Sequence, residues 1–288
     1  MPSTLLLLLT LVTAHAVPLP PQPVLGASEC RLRIAAGGIP LVRVRVTTQR
    51  EAWFVLDTGA SGTTIHVGLA QRLGLSPSGQ ARLHTVEGTA LVTTVRLETF
   101  VIVGWPVTHD LDVAVHDLAL VRQAVPEAEG IVGQDVLAPY DYLIDPRRSR
   151  LTIGRFSAPL SGVRVPLAWS AGRPMLLMAH GQDRYGLVLD SGADALVMEA
   201  GAARQAIGDV SPVGRTRGLL QTHLGVQIVE VEHHVGVRMA NVDLPPIALV
   251  RLPTEAWAMS PEVGLLPASV FSRVYVSART GQAVVWQK

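Results

Sequence analysis

The chain has 288 residues, of which 48% are hydrophobic and 16% are charged, and its formal net charge is +1 at pH 7. A chain of this length and apolar content can bury a substantial core, which argues against an intrinsically disordered protein. The near-zero net charge provides no broad basic surface, so we expect no nucleic-acid partner.

The first residues have the pattern of an export signal. Residues 5–12 form a short apolar run, and Ala14-His15-Ala16 fits a cleavage site of the small-x-small type. The run is too short to span a bilayer comfortably. We therefore predict a signal peptide over residues 1–16 and export to the periplasm or the medium, in preference to a membrane anchor or a buried N-terminal strand. Residues 17–28 are expected to form a flexible lead-in.

Alternating apolar and polar residues predict a mainly β protein. Residues 41–46 (LVRVRV) alternate as a half-buried strand does, and turn-forming glycine and proline residues interrupt the chain frequently. Short helices are predicted over residues 67–73 and 199–207. The expected fold class is all-β with minor helix.

One hexapeptide occurs twice in nearly the same form. Residues 55–60 (VLDTGA) and 188–193 (VLDSGA) each run from an apolar strand into aspartate, a hydroxyl residue, glycine and alanine, and the aspartates lie 133 residues apart (190 − 57). Two further segment pairs keep an offset of 134 (172 − 38 and 264 − 130): residues 38–40 (GIP) with 172–174 (GRP), and 130–137 (GIVGQDVL) with 264–271 (GLLPASVF). Three segments in register indicate an internal repeat, and the repeat defines the architecture.

The repeat divides the chain into two lobes. We predict a first lobe over residues 29–156, a linker over 157–162 and a second lobe over 163–288. Each lobe includes a long hairpin that we expect to cover a cleft between the lobes, around residues 84–89 in the first and 219–225 in the second.

The duplicated aspartate indicates acid–base chemistry. Two carboxyl groups held about 3 Å apart cannot both ionise, so the pair holds a single proton over a broad pH range. The ionised member can take a proton from water while the protonated member donates to a carbonyl oxygen, and neither a metal nor a covalent intermediate is required. The glycine within each motif, Gly59 or Gly192, suits a sharp turn that brings backbone N–H groups towards the carboxylates.

These paired motifs resemble those of the pepsin/retropepsin family of aspartic proteases. The resemblance extends over most of the chain after about residue 30, and it is closest to the retroviral type because alanine follows each motif glycine and Asp194 follows Ala193. It implies a bilobal, pepsin-like all-β fold, in which two homologous β-barrel-like lobes enclose an active-site cleft. In such proteases a downstream apolar segment supports each aspartate loop, which implies that role for residues 131–133 and 265–267, although Pro267 replaces the usual glycine.

The resemblance also assigns roles to individual residues. The implied catalytic pair is Asp57 and Asp190; the dyad-supporting residues are Thr58, Gly59, Ser191 and Gly192; and the substrate-binding residues are Asp194, Gly88 and Thr89. Thr58 and Ser191 are expected to exchange hydroxyl hydrogen bonds across the lobe interface. Asp194 is alternatively a solvated turn residue.

The function expected is an aspartic endopeptidase that hydrolyses peptide bonds in extended polypeptides. This function implies a polypeptide substrate and a monomeric state, and it implies neither a metal nor a cofactor. The alternatives are a catalytically silent peptide-binding or regulatory module with the same fold, and a processing protease with a single substrate. Because Ala60 and Ala193 supply no hydroxyl to stabilise a carboxylate, we expect a weakly acidic pH optimum.

A second group of acidic and histidine side chains superficially resembles metal ligands. The residues are His109, Asp110, Asp112, His116 and Asp117. They alternate with apolar residues, so we expect most of them to be exposed on a strand rather than to bind a metal.

Overall fold

Alternating segments form the strands that the sequence pattern predicts. In the computed structural model, the strand Pro40–Arg45 buries Val42 and Val44 and exposes Arg43 and Arg45. The structure describes the chain except residues 1–2, 7–10, 14–25, 49, 86–87, 157–160, 181–182, 208–209, 222–225, 240–241 and 254–261.

The first half of the chain contains strands β1 to β12 and helices α1 to α3. The strands are β1 (Ser3–Leu6), β2 (Leu11–Thr13), β3 (Ala27–Ile34), β4 (Pro40–Arg45), β5 (Glu51–Leu56), β6 (Thr64–His66), β7 (Pro77–Thr85), β8 (Gly88–Ile102), β9 (His109–His116), β10 (Ala128–Val132), β11 (Asp141–Asp145) and β12 (Arg150–Gly154). The helices are α1 (Val67–Arg72), α2 (Ala119–Ala124) and α3 (Gln134–Leu137), with 3₁₀ turns at Ala36–Gly38 and Pro146–Arg148.

The second half repeats this order with one α-helix. Its elements are β13 (Val163–Ser170), β14 (Arg173–His180), β15 (Asp183–Asp190), β16 (Leu196–Glu199), α4 (Ala200–Ile207), β17 (Gly214–Gln221), β18 (Val226–His234), β19 (Arg238–Met239), β20 (Val242–Asp243), β21 (Ile247–Leu252), β22 (Gly264–Pro267), a 3₁₀ turn at Ala268–Val270, β23 (Arg273–Ser277) and β24 (Gln282–Trp286). Helices α1 and α4 lie within the two segments predicted to be helical.

Six strands of the first lobe close into a barrel. Starting from β4, the pairing order is β5, β10, β6, β9 and β8, and β8 pairs again with β4. The same order of pairing continues in the second lobe through β14, β15, β22, β16, β21 and β18. This confirms an all-β, barrel-like aspartic protease fold.

A six-stranded antiparallel sheet joins the two lobes. Its order is β3, β12, β11, β23, β24 and β13, with three strands from each half of the chain. At its centre Tyr142 of β11 pairs with Val276 of β23, which is its own repeat counterpart (276 − 142 = 134). A strand pair centred on equivalent residues means that a pseudo-twofold axis relates the two lobes at this point.

The N-terminal residues form two of the described strands. Strand β1 pairs in parallel with β17, and β2 pairs antiparallel with β7. Both strands lie inside the predicted signal peptide, whose cleavage and role in export stay predictions. None of the helices in the described residues has the length and apolar character needed to cross a bilayer.

The two hairpins predicted to cover the cleft are formed by β7 with β8 and by β17 with β18. Residues 86–87 and 222–225, at the ends of these hairpins, lie outside the described residues. Strand β3 begins at Ala27, inside the predicted lead-in, and residues 157–160 of the predicted linker also lie outside the description.

The close approach of two backbone segments makes Gly133 a test of the fold. A Cβ at this position would lie 2.5 Å from the carbonyl carbon of Gly62, so the Gly133→Ala variant must displace backbone. We expect the free energy of unfolding to fall by about 1–3 kcal/mol, measured by urea denaturation. The matched control is Gly214→Ala, where a Cβ meets nothing within 4 Å. Equal stability of the two variants would contradict this packing.

Candidate active site

Each aspartate lies at the end of a strand that is supported by a parallel neighbour. Strand β5 ends at Leu56, which pairs with Val132 of β10, and the Asp57 N–H donates to the Val132 carbonyl at 3.0 Å. In the second lobe Asp190 itself pairs with Pro267 of β22. The two apolar segments therefore lie beside the aspartate loops, and Pro267 takes the place of glycine without loss of this pairing.

Four hydrogen bonds cross between the aspartate loops. The Thr58 hydroxyl donates to the Leu189 carbonyl at 2.7 Å, and the Ser191 hydroxyl donates to the Leu56 carbonyl at 2.6 Å. Each hydroxyl also accepts the backbone N–H of the other residue at 3.0 Å. Because every bond joins one lobe to the other, the relative position of the loops is fixed at this point.

The two carboxyl groups are turned towards each other and are fully buried. A Cβ on Gly59 would lie 2.5 Å from the Asp190 Cγ, and a Cβ on Gly192 would lie 2.7 Å from the Asp57 Cγ. Only glycine fits at either position, since each loop backbone packs directly against the carboxyl group of the other lobe.

Backbone N–H groups hold one oxygen of each carboxyl. Asp57 Oδ1 accepts from Gly59 at 2.8 Å and from Ala60 at 3.1 Å, and Asp190 Oδ1 accepts from Gly192 at 2.8 Å. Among the described residues, no group outside the pair donates a hydrogen bond to Oδ2 of either aspartate, and the two carboxyls are within hydrogen-bonding reach of each other. The two Oδ2 atoms are therefore the atoms that can hold a proton or contact a bound molecule.

The environment of the pair favours retention of a proton. Burial raises the pKa of Asp57 well above its ordinary range, and the nearby charge of Asp190 raises it further. Burial also raises the pKa of Asp190, although the Gly192 N–H, the hydrogen bond with Asp57 and the Arg173 guanidinium act in the opposite direction. A pair of this kind can act as one acid and one base under weakly acidic conditions.

The three residues predicted to bind substrate lie in two different places. Asp194 packs over the first-lobe turn, where a Cβ on Gly37 would lie 3.0 Å from the Asp194 Cβ. Gly88 and Thr89 begin β8 and pair with Thr85 and His84 of β7. Contact of these three residues with a substrate stays a prediction.

Three polar residues near the loops were not predicted from the sequence. Buried Gln134 donates from Nε2 to the Thr58 carbonyl at 3.1 Å, and Asp135 accepts from the Thr63 N–H at 2.8 Å and from its hydroxyl at 2.7 Å. Burial raises the pKa of Asp135 to about 6. Gln134 and Asp135 directly follow the first supporting segment, so their position in the repeat could have indicated them. The third residue, Arg173, lies in the repeated segment 172–174, but nothing in that segment indicated a buried charge.

The group between residues 109 and 117 is divided between core and surface. Asp110 and Asp112 are exposed and form ion pairs with Arg96. His109 is buried and packs against Trp105, with ring centroids 5.1 Å apart, and burial lowers its pKa to about 4. In the described part of the chain, histidine, cysteine, aspartate and glutamate side chains do not form any group of three or more that could hold a metal ion.

The crossing hydrogen bonds should contribute measurably to stability. Thr58→Val removes one hydroxyl that both donates and accepts across the interface, so we expect a loss of about 1–3 kcal/mol in the free energy of unfolding. Thr58→Ser keeps the hydroxyl and is the matched control. Urea denaturation of both variants measures the difference, and similar stabilities would show that the crossing bonds contribute little.

The raised pKa of Asp190 predicts that replacement of its carboxyl by an amide stabilises the fold at neutral pH. A carboxyl whose folded pKa exceeds its unfolded pKa contributes stability that is fully present below the unfolded pKa and is lost as pH rises through the folded pKa. Asp190→Asn should therefore be more stable than the native chain by about 1–3 kcal/mol at neutral pH, with the difference much smaller near pH ~3.

Thermal unfolding at the two pH values tests this, with the exposed Asp243→Asn as control. A stabilisation that is equal at both pH values would contradict the assignment to ionisation.

Comparison with known proteins agrees with this geometry. A family model described as aspartyl protease matches residues 42–136, which include the first aspartate loop and its supporting segment. A search of curated protein sequences gave no match to the chain. The match covers 95 of the 288 residues (136 − 42 + 1), and together with the two interlocked aspartate loops it supports a similarity of this chain to aspartic proteases of retropepsin-like type.

Proposed function

We propose that the chain is an aspartic endopeptidase that uses Asp57 and Asp190 to activate water against a peptide carbonyl. The observation that carries the proposal is the pair of buried carboxyl groups that lie within hydrogen-bonding reach of each other and whose Oδ2 atoms receive no hydrogen bond from any other described residue. The family match supports proteolysis in general.

The chemistry follows from a pair that shares one proton. The ionised carboxyl removes a proton from water as the water oxygen attacks the carbonyl carbon, and the protonated carboxyl donates to the carbonyl oxygen. The backbone N–H groups on Oδ1 fix the orientation of each carboxyl, which leaves both Oδ2 atoms for these proton transfers.

The substrate proposed is an extended polypeptide. Strands β7 and β17 each pair with a separate short strand, β2 and β1 respectively, in addition to their hairpin partners. The edges of both hairpins can therefore accept an extended backbone, which binds as an added strand through main-chain hydrogen bonds. Asp194, Gly88 and Thr89 are proposed to contact that backbone.

The deciding experiment is cleavage of a diverse peptide library between about pH 3 and 7, the range in which such a pair titrates. The full chain and a chain lacking residues 1–16 are compared, each beside its Asp190→Asn variant. We expect cuts at apolar sites that vanish in the variant, with maximal activity in the weakly acidic range, because the pKa values of both carboxyls are raised.

Cleavage that persists in the variant would contradict the dyad mechanism. An optimum at strongly acid pH would contradict the argument from Ala60 and Ala193. If a folded chain makes no cuts, binding of library peptides without hydrolysis would indicate the silent peptide-binding module instead.

A further inference from the structure

The second lobe has a buried ion pair next to its aspartate where the first lobe has none. Arg173 in the second lobe corresponds to Ile39 in the first (173 − 39 = 134), and Glu262 corresponds to Ala128 (262 − 128 = 134). Ile39 and Ala128 belong to the same apolar cluster of the first lobe. An ion pair in one lobe thus replaces an apolar contact in the other.

Arg173 is held in place by two residues that are also buried. Its Nη2 donates to Glu262 Oε1, its Nε donates to the Ser170 carbonyl at 3.3 Å, and the Ser170 hydroxyl donates to Glu262 Oε2. The side chains of Arg173 and Glu262 are 3% and 2% exposed. A charge pair this deeply buried is costly to desolvate, so its position calls for an explanation beyond stability.

The strand register places Arg173 beside Asp190. Strands β14 and β15 pair Met175 with Val188, and continuing that register by two residues sets Arg173 opposite Asp190. In the first lobe β4 and β5 pair Leu41 with Val55, and the same step sets Ile39 opposite Asp57. One aspartate therefore has a cation on the adjacent strand and the other has an aliphatic side chain.

The charged groups around the pair come from three elements. Asp190 is faced by Asp57 across the lobe interface and by Arg173 on β14, while Glu262, just before β22, pairs with Arg173. In a buried site of low dielectric constant, the nearer cation favours the ionised form of Asp190. In agreement, the Gly192 N–H, the hydrogen bond with Asp57 and the charge of Arg173 lower the pKa of Asp190, whereas the charge of Asp190 and the same hydrogen bond raise the pKa of Asp57.

We propose that Arg173, fixed by Glu262 and Ser170, is a positioning residue that makes the dyad asymmetric, so that Asp190 is the carboxylate and Asp57 keeps the proton. The chemical consequence rests on the proposed proteolysis. The protonation state itself can be measured in a chain that cleaves nothing.

The asymmetry assigns a role to each carboxyl in the hydrolytic cycle. Asp190 takes a proton from water as the new C–O bond forms, and Asp57 gives its proton to the carbonyl oxygen. In the second step Asp190 gives its proton to the leaving nitrogen as the C–N bond breaks, and Asp57 regains a proton from one hydroxyl of the tetrahedral intermediate. One water is consumed and both carboxyls return to their starting states.

The test is a titration of the aspartate carboxyl carbons by ¹³C NMR, with resonances assigned from the Asp57→Asn and Asp190→Asn spectra. In the native chain we expect the first of the two macroscopic steps to be dominated by Asp190. The double variant Arg173→Ile with Glu262→Ala recreates the composition of the first lobe. In this variant the first macroscopic step should move up by about one pH unit or more, and both carboxyls should contribute to it.

A second variant covers the case in which the double variant does not fold. Glu262→Gln keeps a hydrogen-bond acceptor for Arg173 but removes the neutralising charge, so the lower step should move to lower pH. A first step dominated by Asp57 in the native chain, or a step that is unchanged in the folded variants, overturns the proposal. If the shifts appear but no peptide is cleaved, the asymmetry stands and the proposed proteolytic function fails.

Discussion

A carboxylate that leaves water loses several kcal/mol of hydration, and a second carboxylate beside it adds repulsion. Asp57 and Asp190 are subject to both effects because they are fully buried and each packs against the loop glycine of the other lobe. The fold can accommodate them only if one of the two keeps a proton. The shared proton that would serve catalysis is thus also a condition for the stability of the folded chain.

The surrounding structure is arranged around this pair. Backbone N–H groups satisfy one oxygen of each carboxyl, and the hydroxyls of Thr58 and Ser191 join the loops across the lobe interface. The supporting strands β10 and β22 lie parallel to the strands that carry the aspartates. Each of these contacts occurs once per lobe, as expected for a site on a pseudo-twofold axis, and the Arg173–Glu262 ion pair is a charged departure from that symmetry.

The repeated elements could be predicted from the sequence because both copies retain the residues that the geometry requires. The aspartate loops, the supporting segments and helices α1 and α4 were all marked by patterns that occur twice. The Arg173–Glu262 pair was not predictable in this way, since the two residues are 89 positions apart (262 − 173) and neither has a charged counterpart in the first lobe. The burial of His109 was also missed, although strand alternation places it on the same buried face of β9 as Leu111 and Val113, where it packs against Trp105.

The shared six-stranded sheet has a consequence for how the chain folds. When the first lobe leaves the ribosome, the edge of β11 has no partner, because β23 lies more than a hundred residues further along the chain. An unpaired edge of this kind is open to pairing with another chain. Since Tyr142 pairs in the finished protein with its own repeat counterpart, the natural occupant of that edge in an isolated first lobe is the same strand of a second copy. Until the second lobe is complete, the nascent chain therefore exposes a strand edge that is complementary to itself, and the long sequence separation of β11 and β23 is of the kind that slows folding.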